Sequence, residues 1–234
     1  MKTLAIFDID GTLLQSAGLH HDLISAILSA DGLDVTFQPW GAYTHYTDLG
    51  VLDELHRHAR GRSISVDELS RYDALYEQAL HGHVAIHGLP EIPGARALLA
   101  DLASRPDVAI AFATGSLRRM ARLKLSTLGI DVDRAALATG GEHLTREDIV
   151  RSAAHQAVGD VGEPVDMVIL GDGLWDQRTA ANLGIPFVAL ETGTHVFGEG
   201  PALTLSDFTG LAGQRLLDLA LPVRLGPPAA AIMA

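Results

Sequence analysis

The chain has 234 residues, of which 47% are apolar, 20% are charged and 5% are aromatic, and its formal net charge is −12. This composition is typical of a globular protein with one large domain, or with a core and a smaller inserted domain. The acidic balance argues against a broad basic surface for nucleic acid. The absence of cysteine excludes disulfides, thiolate nucleophiles and Cys-ligated zinc.

The first predicted element is a short apolar strand, Leu4 to Phe7, which ends at Asp8. This apolar run is too short for an export signal. No later stretch approaches the roughly 18 apolar residues of a membrane-spanning helix. We therefore expect a cytoplasmic protein that does not contact a membrane.

Residues 15–88 form the next segment, which contains no convincing buried strand. Its helical patterns lie at His21–Ala30, Asp48–Arg60 and Val66–Leu80. The Gly- and Pro-rich stretch Gly88–Gly94 then has the composition of a hinge. The sequence therefore predicts a helical domain inserted after the first strand.

The rest of the chain alternates between apolar strands and helical patterns. The predicted strands are Val108–Ala113, Met167–Leu170 and Phe187–Leu190, and the predicted helices cover 95–104, 117–128 and 145–158. This alternation predicts an α/β fold with a three-layer, Rossmann-like core around a central parallel sheet. We assign residues 1–14 and 89–221 to this core, and we expect residues 222–234 to be a flexible tail.

Acidic and hydroxyl side chains follow three of the predicted strands. They are Asp8 and Asp10 after the first strand, Thr114 and Gly115 after the second, and Asp172 and Asp176 after the third. Open α/β sheets bind ligands at the carboxyl ends of their strands, so these residues are expected to converge. Converging carboxylates favour a hard cation such as Mg²⁺, and a helix N-terminus favours an anion. Together these features indicate phosphoryl transfer.

These motifs resemble the haloacid dehalogenase superfamily of hydrolases, most of which are phosphatases. Asp8-Ile9-Asp10-Gly11-Thr12-Leu13 looks like the first motif of that family, Thr114 looks like the second, and Gly171-Asp172 with Asp176 looks like the fourth. The resemblance covers about residues 1 to 210. The helical segment after the first strand is similar to the C1 type of cap found in phosphoglycolate phosphatase-like members.

The third motif departs from the family pattern, which has a lysine near a helix start. Arg146 stands at the corresponding place in the order of strands and helices, and a guanidinium can also neutralise a phosphoryl group. Lys124, within the helix after Thr114, is the competing candidate. On its own, Lys124 is more typical of a surface or snorkelling lysine.

The resemblance implies a role for each of these residues. Asp8 is the nucleophile that forms an aspartyl-phosphate, and Asp10 is the general acid and base. Thr114 and the Gly115 N–H bind the phosphoryl oxygens, and Arg146 balances their charge. The Asp8 carboxylate, the Asp10 backbone carbonyl and Asp172 hold Mg²⁺, which Asp176 supports directly or through water.

A polar and aromatic cluster lies just before the second cap helix. Its members are Trp40, Tyr43, His45, Thr47 and Asp48. The cluster resembles the cap loop that faces the active site in C1-capped relatives, so Thr47 and Asp48 are candidate substrate neighbours. Packing between the cap and the core is an equally good interpretation.

Several activities of the superfamily remain to be compared. A phosphatase acting on a small phosphorylated metabolite, as a monomer or homodimer, is the principal hypothesis. Dehalogenation is disfavoured because a halide needs no acid at the position of Asp10. Phosphonoacetaldehyde hydrolysis is disfavoured because the predicted cap contains no lysine. A phosphomutase and a non-catalytic binding protein remain as alternatives.

Overall fold

The computed structural model describes residues 2–36, 38, 42–159, 164–193 and 195–232. Its strands are β1 (Thr3–Phe7), β2 (Val108–Thr114), β3 (Ala136–Thr139), β4 (Val165–Gly171), β5 (Phe187–Leu190), β6 (Leu203–Leu205) and β7 (Leu221–Val223). Its helices are α1 (Ala17–Ala30), α2 (Asp48–Arg60), α3 (Val66–His87), α4 (Ala95–Ala103), α5 (Arg118–Thr127), α6 (Arg146–Val158), α7 (Leu174–Leu183) and α8 (Gly213–Leu217).

The strands form one sheet in the order β3-β2-β1-β4-β5-β6, with β7 paired to β4. Each pair along that order is parallel, and only β7 is antiparallel to its neighbour among the described strands. Parallel neighbours place their carboxyl ends at one edge, so the segments after β1, β2 and β4 are brought together there.

The two faces of the sheet are covered by different helices, which gives three layers. Residues alternate along β1, so that Leu4 and Ile6 pack with α6 and α7, whereas Ala5 and Phe7 pack with α4 and α5. All four side chains are buried. The predicted α/β, Rossmann-like core with a central parallel sheet is confirmed.

Helices α1, α2 and α3 lie between β1 and α4, and no strand occurs among the described residues of 15–88. Their apolar faces form a separate cluster with Tyr72 and Tyr76 at its centre. Leu117 and Met120, at the start of α5, complete that cluster. The inserted helices are therefore anchored on the helix that follows Thr114.

The prediction of a flexible tail from residue 222 is wrong at its start. Residues Leu221–Val223 pair with β4. Val223 and Leu225 are buried, and Ile232 N donates to Glu142 O at 2.8 Å. The high Pro and Ala content of this segment concealed a strand, because an edge strand tolerates a proline whose missing N–H faces away from its partner.

No described helix is long and apolar enough to cross a membrane.

Candidate active site

Three buried carboxylates meet at the carboxyl ends of β1 and β4. Asp8 directly follows β1, and its N–H donates to Leu170 O at 3.0 Å. Asp172 follows β4, and Asp176 is on the first turn of α7. One carboxylate oxygen from each of these aspartates lies within 4.8 Å of the others. Each of the three side chains belongs to a residue that is about 5% exposed.

Gly11 allows this close approach between the two strand ends. It adopts a φ of 77°, which side chains disfavour. A Cβ at this position would lie 2.0 Å from Asp172 Oδ2. Any larger residue at this position would force the first motif and Asp172 apart.

The electrostatics of the three carboxylates favour a bound cation. Burial raises the pKa of Asp8 well above its ordinary value, and the Asp176 charge raises it further. Burial and Asp176 also raise the pKa of Asp172, and burial raises that of Asp176. A close set of carboxylate oxygens whose mutual repulsion a cation would relieve fits a hard divalent cation such as Mg²⁺. Asp8, Asp172 and Asp176 are therefore the candidate ligands.

Arg146 is the basic group at this cluster. Its Nη1 lies 3.3 Å from Asp176 Oδ1 and 3.5 Å from Asp8 Oδ1, and its Nε donates to Tyr46 O at 2.9 Å. Burial would lower the pKa of Arg146, but Asp176 and Asp8 outweigh burial and raise it. Thr145 caps α6 by accepting from Asp148 N at 3.1 Å, which sets Arg146 on the first turn.

Lys124 lies elsewhere in the site, against Asp10. Its Nζ is fully buried and lies 2.7 Å from the Asp10 carboxylate, 3.2 Å from Ser116 Oγ and 3.0 Å from His20 Nδ1. The interpretation of Lys124 as a surface or snorkelling lysine is wrong. Burial alone would raise the pKa of Asp10, but Lys124 and His20 lower it below its ordinary value.

The two basic groups therefore serve different aspartates. Arg146 contacts Asp8 and Asp176, whereas Lys124 contacts Asp10. The Asp10 carboxylate also accepts from Ser16 and Ser116, and it is not a member of the three-carboxylate cluster. Because the Asp10 carboxylate contacts Lys124, the backbone carbonyl of Asp10 is the atom of this residue that remains as a candidate metal ligand.

Thr114 is the last residue of β2, and Gly115 opens the loop between β2 and α5. Thr114 is buried, and its Oγ1 accepts from Ser116 N at 3.2 Å. This loop packs tightly on the loop after β3, since Gly140 N donates to Ser116 O at 3.0 Å. A Cβ on Gly140 would lie 2.0 Å from Gly115 O. The close packing of these two loops therefore requires that residue 140 is a glycine.

Thr47 and Asp48 contact the core as well as the cleft. Thr47 caps α2 through Gly50 N at 3.1 Å and donates to Leu144 O at 3.2 Å. Asp48 N donates to Gly115 O at 2.8 Å, and Asp48 Oδ2 accepts from Leu117 N at 2.8 Å. Both residues also line the cleft, so the two interpretations of this segment are compatible. Tyr43 packs within the helical cluster, and Trp40 lies outside the described residues.

His20, Tyr46 and His195 line the cleft and were missed by the sequence reasoning. His20, on the first turn of α1, joins Lys124 to Asp48, because its Nε2 lies 3.0 Å from Asp48 Oδ1. Tyr46 stacks on Trp175 with 3.9 Å between ring centroids, and His195 meets the edge of Trp175 at 5.1 Å. A histidine seven residues after the first motif was visible in the sequence, but the direction of α1 was not.

These residues line a cleft of about 820 Å³ between the inserted helices and the carboxyl edge of the sheet. The predicted site residues on its wall are Asp8, Asp10, Thr47, Asp48, Thr114, Gly115, Arg146 and Asp172. Asp176 and Lys124 are placed behind the wall, where each contacts a residue that lines it.

The family is decided by a match that spans most of the chain. The model of the haloacid dehalogenase-like hydrolases matches residues 2–184. The chain belongs to this family. The resemblance drawn from the motifs is therefore confirmed, as is the prediction of a hydrolase.

Individual relatives share 22% to 27% of their residues with this chain. A phosphoglycolate phosphatase from Agrobacterium fabrum is 27% identical over 223 residues, which cover 90% of this chain and 91% of that protein. A hydrolase from Pseudomonas syringae shares the fold with a TM-score of 0.69 at 24% identity, over 93% of this chain and 98% of that one. CbbY from Rhodobacter sphaeroides, solved in complex with phosphate, has a TM-score of 0.72 at 22% identity, over 94% and 100%.

Proposed function

We propose that this hydrolase is a Mg²⁺-dependent phosphatase that cleaves a small phosphate monoester through an aspartyl-phosphate on Asp8. The observation that carries the proposal is that the two carboxylates of the first motif have different basic partners. Asp8 lies beside Asp172, Asp176 and Arg146, whereas Asp10 lies apart with Lys124. This division supports a role for Asp8 as the nucleophile and for Asp10 as the group that exchanges a proton.

In the first half of the proposed reaction, an Asp8 oxygen attacks phosphorus and the bond between phosphorus and the leaving alcohol oxygen breaks. Asp10 gives its proton to that oxygen. Lys124 favours the ionised form of Asp10, so Asp10 takes this proton from the substrate phosphate or from water as the negatively charged phosphoryl group enters beside it. Arg146 and the Gly115 N–H stabilise the phosphoryl oxygens.

In the second half, water attacks phosphorus, its proton passes to Asp10, and the bond to Asp8 breaks. The Lys124 contact keeps Asp10 in the carboxylate form until the proton arrives. Asp8 and Asp172, with the Asp10 carbonyl and with Asp176 in support, would hold Mg²⁺. Bound there, the ion supplies positive charge to the transferring phosphoryl group.

The similarity to a phosphoglycolate phosphatase supports a phosphatase that acts on a small metabolite. The net charge of −12 supports a free phosphorylated metabolite as partner, rather than nucleic acid or an anionic membrane surface. We further propose that the enzyme works in the cytoplasm as a monomer or homodimer.

The test is phosphate release from a panel of small phosphate esters, with Mg²⁺ and with a chelator. We expect release that requires Mg²⁺ and that falls by at least about 1,000-fold in Asp8→Asn. Asp67→Asn is the matched control, because Asp67 is an exposed carboxylate on α3. It should retain full activity.

Two other outcomes would replace this proposal. Phosphorylation of Asp8 followed by return of the group to a substrate hydroxyl, without phosphate release, would identify a phosphomutase. Neither release nor phosphorylation of Asp8 by a folded protein that binds Mg²⁺ would identify a non-catalytic binding protein.

A further inference from the structure

The guanidinium of Arg146 has partners on two different parts of the molecule. Its Nη1 lies 3.5 Å from Asp8 Oδ1 and 3.3 Å from Asp176 Oδ1, and both carboxylates belong to the core. Its Nε donates to Tyr46 O at 2.9 Å. Tyr46 belongs to the insertion, residues 15–88, and lies two residues before α2. One side chain therefore joins the carboxylate cluster to the insertion.

This double contact suits an arginine better than the lysine of the family pattern. A lysine presents all its donors from one nitrogen, whereas a guanidinium spreads its donors over three nitrogens in a planar fork. Arg146 uses Nε for the insertion and Nη1 for the carboxylates, so neither contact displaces the other. The departure from the family pattern thus coincides with a contact that an ammonium would not reproduce.

The contact between Arg146 and Tyr46 is shielded from water. The Arg146 side chain is only 13% exposed. Its Nη2 and the Tyr46 carbonyl oxygen both lie beside Gly115, at 2.6 and 3.1 Å from where a Cβ on that residue would stand. A buried donor or acceptor that loses its partner is costly, because it has already given up its bonds to water. The two groups therefore hold each other in place.

The ring of Tyr46 fixes the same residue from the other side. It stacks on Trp175 with 3.9 Å between ring centroids and 17° between the ring planes. Trp175 directly precedes Asp176 on α7, and the Arg146 guanidinium lies 5.8 Å from the centre of its ring. Stacked aromatic rings stabilise their contact beyond the burial of their surface. The stack therefore sets where the Tyr46 carbonyl meets Arg146.

Two backbone N–H groups just after Tyr46 report whether the insertion stays on the core. Asp48 N donates to Gly115 O at 2.8 Å, and Leu49 N donates to Gly140 O at 3.2 Å. Both acceptors lie on core loops, so these N–H groups exchange with solvent only when this part of the insertion leaves the core. Their exchange can be measured without any turnover.

We propose that Arg146 couples the insertion to the carboxylate cluster, with Tyr46 as its positioning residue. The Tyr46 carbonyl and the stack on Trp175 hold the guanidinium beside Asp8. The charge that stabilises the transferring phosphoryl group is then in place only while the insertion lies on the core. The kinetic consequence of this proposal rests on the proposed phosphatase function, whereas the coupling itself does not.

The first test is amide hydrogen exchange in the parent and in Arg146→Lys, which keeps the charge but removes the Nε donor. We expect exchange of the Asp48 and Leu49 N–H groups to rise at least about threefold, while exchange in Thr3–Phe7 stays unchanged. No rise at residues 48 and 49 would overturn the coupling. An equal rise in β1 would also overturn it, because that result means a general loss of stability.

The matched control is Arg122→Lys. The guanidinium of Arg122 likewise contacts one backbone carbonyl and one carboxylate, since it donates to Val132 O at 3.0 Å and to Asp133 Oδ1 at 2.6 Å. These partners belong to the core, so Arg122→Lys should leave exchange at residues 48 and 49 unchanged. The same rise in both variants would overturn a specific role of Arg146.

The second test is kinetic and uses p-nitrophenyl phosphate with Mg²⁺. Tyr46→Ala removes the stack on Trp175 and should lower kcat at least about fivefold, with a smaller change in KM. Tyr46→Phe keeps a ring and should recover most of that loss. In the Arg146→Lys background, Tyr46→Ala should have a clearly smaller effect on kcat, because no guanidinium remains to be positioned. Equal fold losses in the two backgrounds would overturn the positioning role of Tyr46.

The two tests together separate failure of this proposal from failure of the phosphatase function. If the parent hydrolyses no ester but Arg146→Lys speeds exchange at residues 48 and 49, the phosphatase function fails and the coupling stands. If the parent releases phosphate but Arg146→Lys leaves that exchange unchanged, the phosphatase function stands and the coupling fails.

Discussion

The burial of Lys124 differs from what its place in the sequence indicates. This lysine lies within an amphipathic helix, and its side chain is nevertheless fully buried against Asp10, His20 and Ser116. A buried ammonium is tolerated only when it is paired and hydrogen-bonded, and here each condition is met. Lys124 and Asp10 therefore depend on each other.

The first prediction concerns this pair. Lys124→Met removes the buried cation that pairs with the half-buried Asp10, so the free energy of unfolding should fall by about 3 kcal/mol. Asp10→Asn combined with Lys124→Met should cost clearly less than the sum of the two single changes. Urea unfolding measures all three variants. Arg134→Met, at a site where the side chain is 89% exposed, is the control and should change stability little. Additive costs would show that the pair is not coupled.

At the scale of elements, the inserted helices are joined to the core at the start of α5. Two carboxylates from the insertion accept from its first N–H groups, since Asp48 binds Leu117 N and Asp73 binds Arg119 N at 3.1 Å. Anions are favoured at a helix N-terminus. Since α5 directly follows the loop of Thr114, these contacts also connect the insertion to the phosphoryl site.

The second prediction follows from Asp73. Burial raises the pKa of Asp73 to about 6, although its hydrogen bond from Arg119 N opposes the change. A raised pKa means that the folded state binds the proton more tightly than the unfolded state, so stability falls as pH rises from about 4 to about 6. Asp73→Asn removes this loss. Relative to the parent, the variant should therefore gain stability over that interval and level off above it.

Urea unfolding of both proteins at each pH unit from 4 to 8 measures this difference. The exposed Asp67→Asn is the control, and its difference from the parent should not change with pH in this way. A difference for Asp73→Asn that stays flat from pH 4 to 7 would contradict the raised pKa.

At the scale of the whole molecule, the C-terminal segment contacts both β4 and α6. Strand β7 pairs with the first half of β4, while β5 pairs with the second half, which leads into Asp172. Ala229 N also donates to Asp148 Oδ1 at 3.2 Å, on the first turn of α6. The end of the chain thus supports both elements that carry Asp172 and Arg146.

The third prediction is a truncation. Deleting residues 221–234 removes β7 and the buried Val223 and Leu225, which should lower the free energy of unfolding by about 3–5 kcal/mol from apolar burial alone. It should also speed amide hydrogen exchange in Val165–Met167. Deleting only 226–234 keeps β7 and should cost much less. Equal stability of the two truncated chains would contradict a structural role for β7.

Much of the site was accessible from the sequence because it depends on local order. Asp8, Thr114 and Asp172 each follow a buried apolar strand, and parallel strands necessarily end at the same edge. The carboxylate cluster and the position of Arg146 on the first turn of α6 follow from that rule. The short strand β3 was missed because four residues, two of them alanine, carry little periodic signal.

What the sequence by itself determined is the α/β core, the helical insertion and the carboxylates at the ends of the strands. These features depend on apolar periodicity and on residues that are neighbours along the chain. The tertiary structure alone decided that Lys124 binds Asp10, that His20 contacts Asp48 and that β7 pairs with β4. Each of these contacts joins residues far apart in sequence, and their partners depend on how helices cross the sheet, which no local pattern encodes.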